Sequence, residues 1–167
     1  MSLRYLAYGS NLHPGRLGAR VAIETLLGTV PLPGWRLAFD KRGADGSGKC
    51  DLKYTGDAGD CAWGAIYALD AAAKATLDAI EGLGKGYGER EIVVPAFDAV
   101  VLYVALPAAL DATLVPFDWY HELVLAGARH HAFPASYLAS IAAVATRPDP
   151  DAARASTHRE LLASLRT

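Results

Sequence analysis

An α+β domain, its sheet either mixed or curled into a barrel, is the fold class this sequence predicts. Two observations carry it. β-type runs come first, one well-marked helix interrupts them, further β-type runs follow and the last third is helical, an order unlike the strand–helix alternation of doubly wound α/β folds. The 167 residues are 52% hydrophobic and 20% charged, enough for one compact core and too apolar for disorder. Periodicity alone does not separate these architectures, and no internal repeat is visible. The expectation is a single domain over residues 1–167, with its core at about 3–145 and a C-terminal helical extension at 148–167.

Leu3, Tyr5, Leu6, Ala7 and Tyr8 form a short apolar and aromatic run that reads as one strand, ended by Gly9. Ser10 and Asn11 then place polar atoms ahead of a helix expected from Pro14 to Val21, because proline suits the first helical position. Gly9 has no side chain to keep a ligand from the backbone. The N–H groups collected there suit an anion or a developing oxyanion, and the helix dipole adds to the attraction. An ordinary strand–turn–helix corner capped by Asn11 or His13 fits the same residues.

Ile23 to Val30 and Trp35 to Phe39 read as strands divided by Pro31 and Pro33-Gly34. Asp40 to Lys49 is a polar, glycine-bearing loop. Cys50, Leu52 and Tyr54 then alternate, and with the apolar run Cys61 to Leu69 they suggest a hairpin. Asp70 is the expected N-cap of a helix over Ala71 to Ile80, with Ala73, Leu77 and Ile80 on one face and Gly82 as its stop. Glu91 to Ala96 and Asp98 to Ala105 are further β-type runs. After a Pro107 to Pro116 connection, helices are expected over Phe117 to Arg129, Pro134 to Ala145 and Asp151 to Leu165, the last being the most polar and the most loosely packed.

A net charge of -2 with interspersed signs leaves no footprint for nucleic acid or an anionic membrane, so a small neutral or zwitterionic partner fits better. No apolar run approaches the roughly 20 residues of a membrane span, and the N-terminus has no signal-peptide regions, which predicts a cytoplasmic protein. Cys50 and Cys61 are expected to be reduced, semi-buried and on two adjacent strands.

Glu81 closes the central helix and is followed by Gly82-Leu83-Gly84-Lys85-Gly86-Tyr87-Gly88. A carboxylate at the negative end of a helix dipole is mildly disfavoured, and burial in an apolar pocket would raise its pKa further. Such a group suits general acid/base work, and the glycines let backbone approach a ligand or move as a flap. A solvated helix-end glutamate is the alternative. Other motifs fail on context. Gly43 to Cys50 ends without the Ser or Thr of a phosphate-binding loop and leads into β pattern rather than a helix, so it reads as a solvated hairpin loop. His121-Glu122 lacks the second histidine of a zinc site, since Leu125 stands there, and His130-His131 cannot face one ligand from one helix.

Tyr8-Gly9-Ser10-Asn11-Leu12, taken with Leu77-Asp78-Ala79-Ile80-Glu81-Gly82 and the following Tyr87, resembles the gamma-glutamylcyclotransferase family in order and distance. The first motif is the more specific, because the glutathione-specific branch carries Tyr-Gly-Ser-Leu there. The likeness continues through Tyr120, Ala126-Gly127-Ala128 and Phe133 to Leu138, and so covers most of residues 3–145. Tyr87 stands one residue closer to Glu81 than in the animal enzymes, and Phe133 replaces a leucine.

The resemblance implies a barrel-like sheet with surrounding helices, no metal and no organic cofactor, and Glu81 as the catalytic residue. The expected activity is cyclisation of a γ-glutamyl amino acid or amine to 5-oxoproline. Tyr8, Gly9, Ser10, Asn11, Leu12, Tyr87 and Tyr120 are the candidate substrate-binding residues. The expected partner is a small γ-glutamyl compound, with homodimerisation left open. A non-catalytic binding module for a small carboxylate is the rival reading.

Overall fold

The computed structural model describes residues 2–166. Seven strands and five α-helices follow in chain order: β1 (Leu3–Ala7), α1 (Pro14–Gly18), β2 (Thr25–Pro33), β3 (Trp35–Arg42), β4 (Gly48–Tyr54), β5 (Cys61–Leu69), α2 (Ala71–Glu81), β6 (Tyr87–Val94), β7 (Asp98–Ala105), α3 (Asp118–His130), α4 (Ala135–Ala142) and α5 (Ala152–Ser164). The α+β class therefore holds. Five strands form one sheet in the order β2-β5-β1-β7-β6, and β3 and β4 form a separate two-stranded sheet. The large sheet is mixed: β1 runs antiparallel to β5, with Tyr5 opposite Tyr67, and parallel to β7, with Tyr5 opposite Val101.

The barrel is not closed. β2 and β6 stand at opposite edges of the sheet without pairing to each other. The expected hairpin also differs, because β4 pairs with β3 through the 43–47 turn while β5 joins the large sheet. The burial of β5 explains this. Gly64 to Leu69 are buried, and a strand covered on both faces belongs inside a sheet, here between β2 and β1. Cys50 and Cys61 consequently lie in different sheets. Both are free, and neither is semi-buried: Cys50 is buried and Cys61 exposed.

Pro31 lies inside β2 rather than ending it, opposite Trp63, and Pro33 is the last residue of the strand, opposite Cys61. The edge position permits this, since a strand paired on one side only tolerates missing N–H groups. β6 starts at Tyr87, four residues before the expected Glu91, because its pairing with β7 runs the whole length from Tyr87 opposite Ala105 to Val94 opposite Asp98. α1 is a short helix that stops at Gly18, after which Arg20 and Val21 still donate to the Leu17 carbonyl.

α2 has the expected ends. The Asp70 carboxylate accepts from the Ala73 N–H at 2.7 Å. Gly82 is left-handed, at φ 70°, its N–H donates to Ala79 and that of Leu83 to Asp78. This double closure is the Schellman arrangement, and it makes Glu81 the last residue before the turn. α5 is docked rather than loose. It packs on α3, buries Ala155 and Leu162, and stacks His158 on Trp119 with ring centres 3.7 Å apart. Among the described residues no helix is long and apolar enough to cross a membrane.

Candidate active site

β1 delivers the chain into a turn closed by the Leu12 N–H donating to the Gly9 carbonyl at 3.1 Å. Ser10 and Asn11 occupy its centre, and among the described residues their own N–H groups are not used in backbone pairing. The capping role belongs to His13, whose Nδ1 accepts from the Gly15 N–H. Tight packing makes a glycine necessary at position 9. A Cβ there would lie 2.8 Å from the Cys50 Cβ.

Asn11 turns its side chain toward the end of α2. Its Nδ2 donates to Glu81 Oε1 at 3.0 Å and to the Tyr5 hydroxyl at 3.2 Å. Arg20 reaches the same carboxylate oxygen from beyond α1, with Nη1 2.7 Å from Glu81 Oε1 and 3.2 Å from Asn11 Oδ1. Glu81 Oε1 thus receives two donors, whereas Oε2 has no hydrogen-bond partner among the described residues. The apolar surroundings expected for Glu81 are not what encloses it. Its hydrogen-bonding neighbours are a guanidinium and an amide.

Two cavities meet at this carboxylate. A small one, about 20 Å³, lies among Tyr8, Gly9, Ser10, Asn11, Cys50 and Glu81. A larger one, about 820 Å³, shares Ser10, Glu81, Tyr87 and Tyr120 with it. The second is large enough for a small-molecule ligand. A further cavity of about 460 Å³, lined by Trp35, Trp63 and Tyr137, contains none of these residues.

The candidate tyrosines surround Cys50 and the small cavity. The Tyr87 hydroxyl donates to the Cys50 carbonyl at 2.6 Å, and the Tyr120 hydroxyl accepts from the Cys50 N–H at 3.0 Å. Tyr8 donates to the Tyr103 carbonyl at 2.5 Å. Burial pushes all three phenols well above their ordinary range, so they stay protonated at neutral pH. Leu12 differs from the rest. It is fully buried, lines neither cavity, and its carbonyl accepts from Tyr67 and His131, so it anchors the turn to the core.

Sequence reasoning missed the cations. Arg16, Arg20, Lys41, Lys49 and Arg154 line the larger cavity together with His158. Arg16 and Arg20 are four residues apart, a spacing that hints at one shared face of a helix. Lys41 and Lys49 come from the rim of the β3–β4 hairpin and Arg154 from α5, so their convergence is tertiary. Burial, and then the charges of Arg16 and Lys49, push His158 down to about 4.

No family model matches this chain, and no curated protein matches it. Solved structures do, and they define its class: the chain has the gamma-glutamyl cyclotransferase-like fold. It is similar to a gamma-glutamyl cyclotransferase at a TM-score of 0.80 and 19% identity, over 96% of this chain and 99% of that one. An uncharacterized protein from Homo sapiens is similar at a TM-score of 0.78 and 19% identity, over 99% of each chain. YkqA from Bacillus subtilis gives 0.73 and 18%, over 87% of this chain and 56% of its own.

Proposed function

We propose that this protein is a γ-glutamyl cyclotransferase-type enzyme in which Glu81 moves the proton. The observation that carries this reading is the contact of Asn11, from the Tyr8 to Leu12 turn, with Glu81 at 3.0 Å. It joins the turn and the carboxylate into one unit bordered by a ligand-sized cavity.

In a γ-glutamyl compound the nucleophile is the substrate's own α-amine. Glu81, through Oε2, removes a proton from the α-ammonium. The freed nitrogen attacks the γ-carbonyl carbon, the new C–N bond closes the five-membered ring of 5-oxoproline, and the original γ-amide C–N bond breaks. Glu81 returns its proton to the departing nitrogen, and the extra proton left on the ring nitrogen passes to the same amine, which departs as an ammonium ion, so the enzyme is regenerated and no water is consumed. A positioned acid/base contributes roughly 10²- to 10⁴-fold. Holding the folded-back rotamer contributes further, because the intramolecular amine then has a high effective molarity.

The N–H groups of Ser10 and Asn11 are the candidate donors to the substrate carboxylate or the oxyanion. Tyr8, Tyr87 and Tyr120 act as walls whose positions are set by their backbone hydrogen bonds. Arg20 and Asn11 orient the carboxylate through Oε1. The test is release of 5-oxoproline from a panel of γ-glutamyl amino acids and γ-glutamyl amines. The expected result is equimolar 5-oxoproline and free amine from at least one of them. Binding of the panel without release from any member would instead favour a carboxylate-binding module.

A further inference from the structure

The larger cavity is far more positive than the protein as a whole. Seven of its lining residues are Lys or Arg, against two acids, Asp45 and Glu81, although the chain carries a net charge of -2. Four of those cations are engaged: Arg20 with Glu81, Lys49 with Asp45, Arg154 with Asp149 and Arg42 with Asp111. Arg16, Lys41 and Lys85 have no carboxylate partner among the described residues.

Arg16 is the most telling of these. It is 8% exposed, lines the cavity, and its buried Nε has no hydrogen-bond partner among the described residues. Lys41 is 9% exposed, and its ammonium sits 4.3 Å from the centre of the Tyr87 ring. A buried guanidinium without an acceptor is costly, and an anion repays the cost. The guanidinium fork fits carboxylate or phosphate oxygens, and a second cation on the Tyr87 wall supplies charge for a second negative group. Burial, then the nearby Arg20, lowers Arg16 to about 10, which still leaves it charged at neutral pH.

We propose that the leaving group of the substrate carries an anionic side group, a second carboxylate or a phosphate, held by Arg16 and Lys41. That the anionic group departs with the amine rests on the cyclotransferase reading, while the anion site itself does not. The γ-glutamyl half is held at Ser10 and Glu81, and the departing amine extends into the cationic chamber. Once the γ-amide bond breaks, the acidic amine leaves from that chamber.

The experiment has two arms. In the first, kcat/KM is compared for γ-glutamyl-glutamate against γ-glutamyl-glutamine, and for γ-glutamyl-phosphoserine against γ-glutamyl-serine; the pair with the larger ratio distinguishes a carboxylate from a phosphate. A charge-assisted contact predicts a preference of about tenfold or more for the acidic member of at least one pair. Arg16→Gln and Lys41→Gln should each shrink that ratio, and because it is a ratio, general damage to catalysis cancels. In the second arm, glutamate, glutamine, phosphoserine and serine are titrated calorimetrically into the Glu81→Gln protein, which needs no turnover. Tighter binding of an acidic amine that either substitution weakens supports the site, even if no substrate is cyclised and the cyclotransferase reading falls. Equal binding of acidic and neutral amines, or equal kcat/KM within both pairs, overturns the proposal while leaving cyclisation intact.

Discussion

Arg20 holds Glu81 by one oxygen: its Nη1 lies 2.7 Å from Oε1, and Asn11 Nδ2 reaches that same atom at 3.0 Å. The pair links the turn after α1 to the end of α2, 61 residues apart in sequence. It leaves Oε2 without a hydrogen-bond partner among the described residues. A carboxylate fixed at one oxygen can exchange a proton at the other without losing its position.

Replacing Arg20 with methionine keeps bulk and removes its hydrogen bonds to Glu81 Oε1 and Asn11 Oδ1. We expect kcat to fall about ten- to a hundredfold, in line with roughly 1.5–3 kcal/mol for a charge-assisted hydrogen bond. KM should move much less, because Arg20 acts on Glu81 rather than on the substrate. Steady-state kinetics beside a melting curve separate this from unfolding. A larger change in KM than in kcat would place Arg20 in direct contact with substrate.

Gly9→Ala should damage both fold and site. The added Cβ would meet the Cys50 Cβ at 2.8 Å and its Sγ at 3.1 Å. Cys50 is held from both sides by Tyr87 and Tyr120, so it has little room to yield. Overpacking of this kind costs about 1–3 kcal/mol. Chemical denaturation measures it, and an unchanged denaturation midpoint would contradict the packing described.

His158 makes the fold acid-sensitive. Its folded value is about 4, against an ordinary 6.5, because burial and the charges of Arg16 and Lys49 oppose protonation. As pH falls through this interval the unfolded chain takes up a proton that the folded chain refuses, so stability is lost from about 6.5 down to about 4 and is flat below both values. Burial lowers His13 and His131 too, and they add to the slope with the same sign. His158→Phe preserves an aromatic ring over Trp119 and should flatten, without abolishing, the pH dependence of Tm between 4 and 6.5. Parallel wild-type and variant curves would contradict this.

The two thiols should react differently. Cys50 is buried, and burial pushes its thiol up to about 12, whereas Cys61 is exposed. A disulfide reagent at pH 8 should therefore titrate one thiol in the folded protein and two after unfolding. Two rapid equivalents from the native protein would show that Cys50 is accessible.

Much of the fold was legible because local signals agreed with tertiary demand. Asp70 and Gly82 delimit α2 through side-chain capping and a left-handed turn, both encoded within a few residues. Strand partnership was less legible: alternation at Cys50, Leu52 and Tyr54 does not say whether β4 pairs with β3 or β5, and the burial of β5 on both faces decides it. The same division holds in the site. Ser10, Asn11 and Glu81 were readable from a short motif and a helix end, and the structure brings them to one place. Leu12 belongs to that motif yet serves the core. Arg20, Lys49, Arg154 and His158 converge from three separate segments, which no local pattern reports. An overall charge of -2 pointed to a neutral or zwitterionic ligand, but charges are averaged over the surface whereas a cavity is lined by few residues.

Glu81→Gln separates a Glu81 that carries the proton during ring closure from one that only holds the turn in place. The amide still accepts from Asn11 and Arg20 through its oxygen but has no basic carboxylate oxygen to take the proton. With a γ-glutamyl substrate that the wild type cyclises, 5-oxoproline release should fall by about 10²- to 10⁴-fold while substrate binding and melting temperature stay close to wild type. Release at the wild-type rate by the folded variant would exclude Glu81 as the proton carrier.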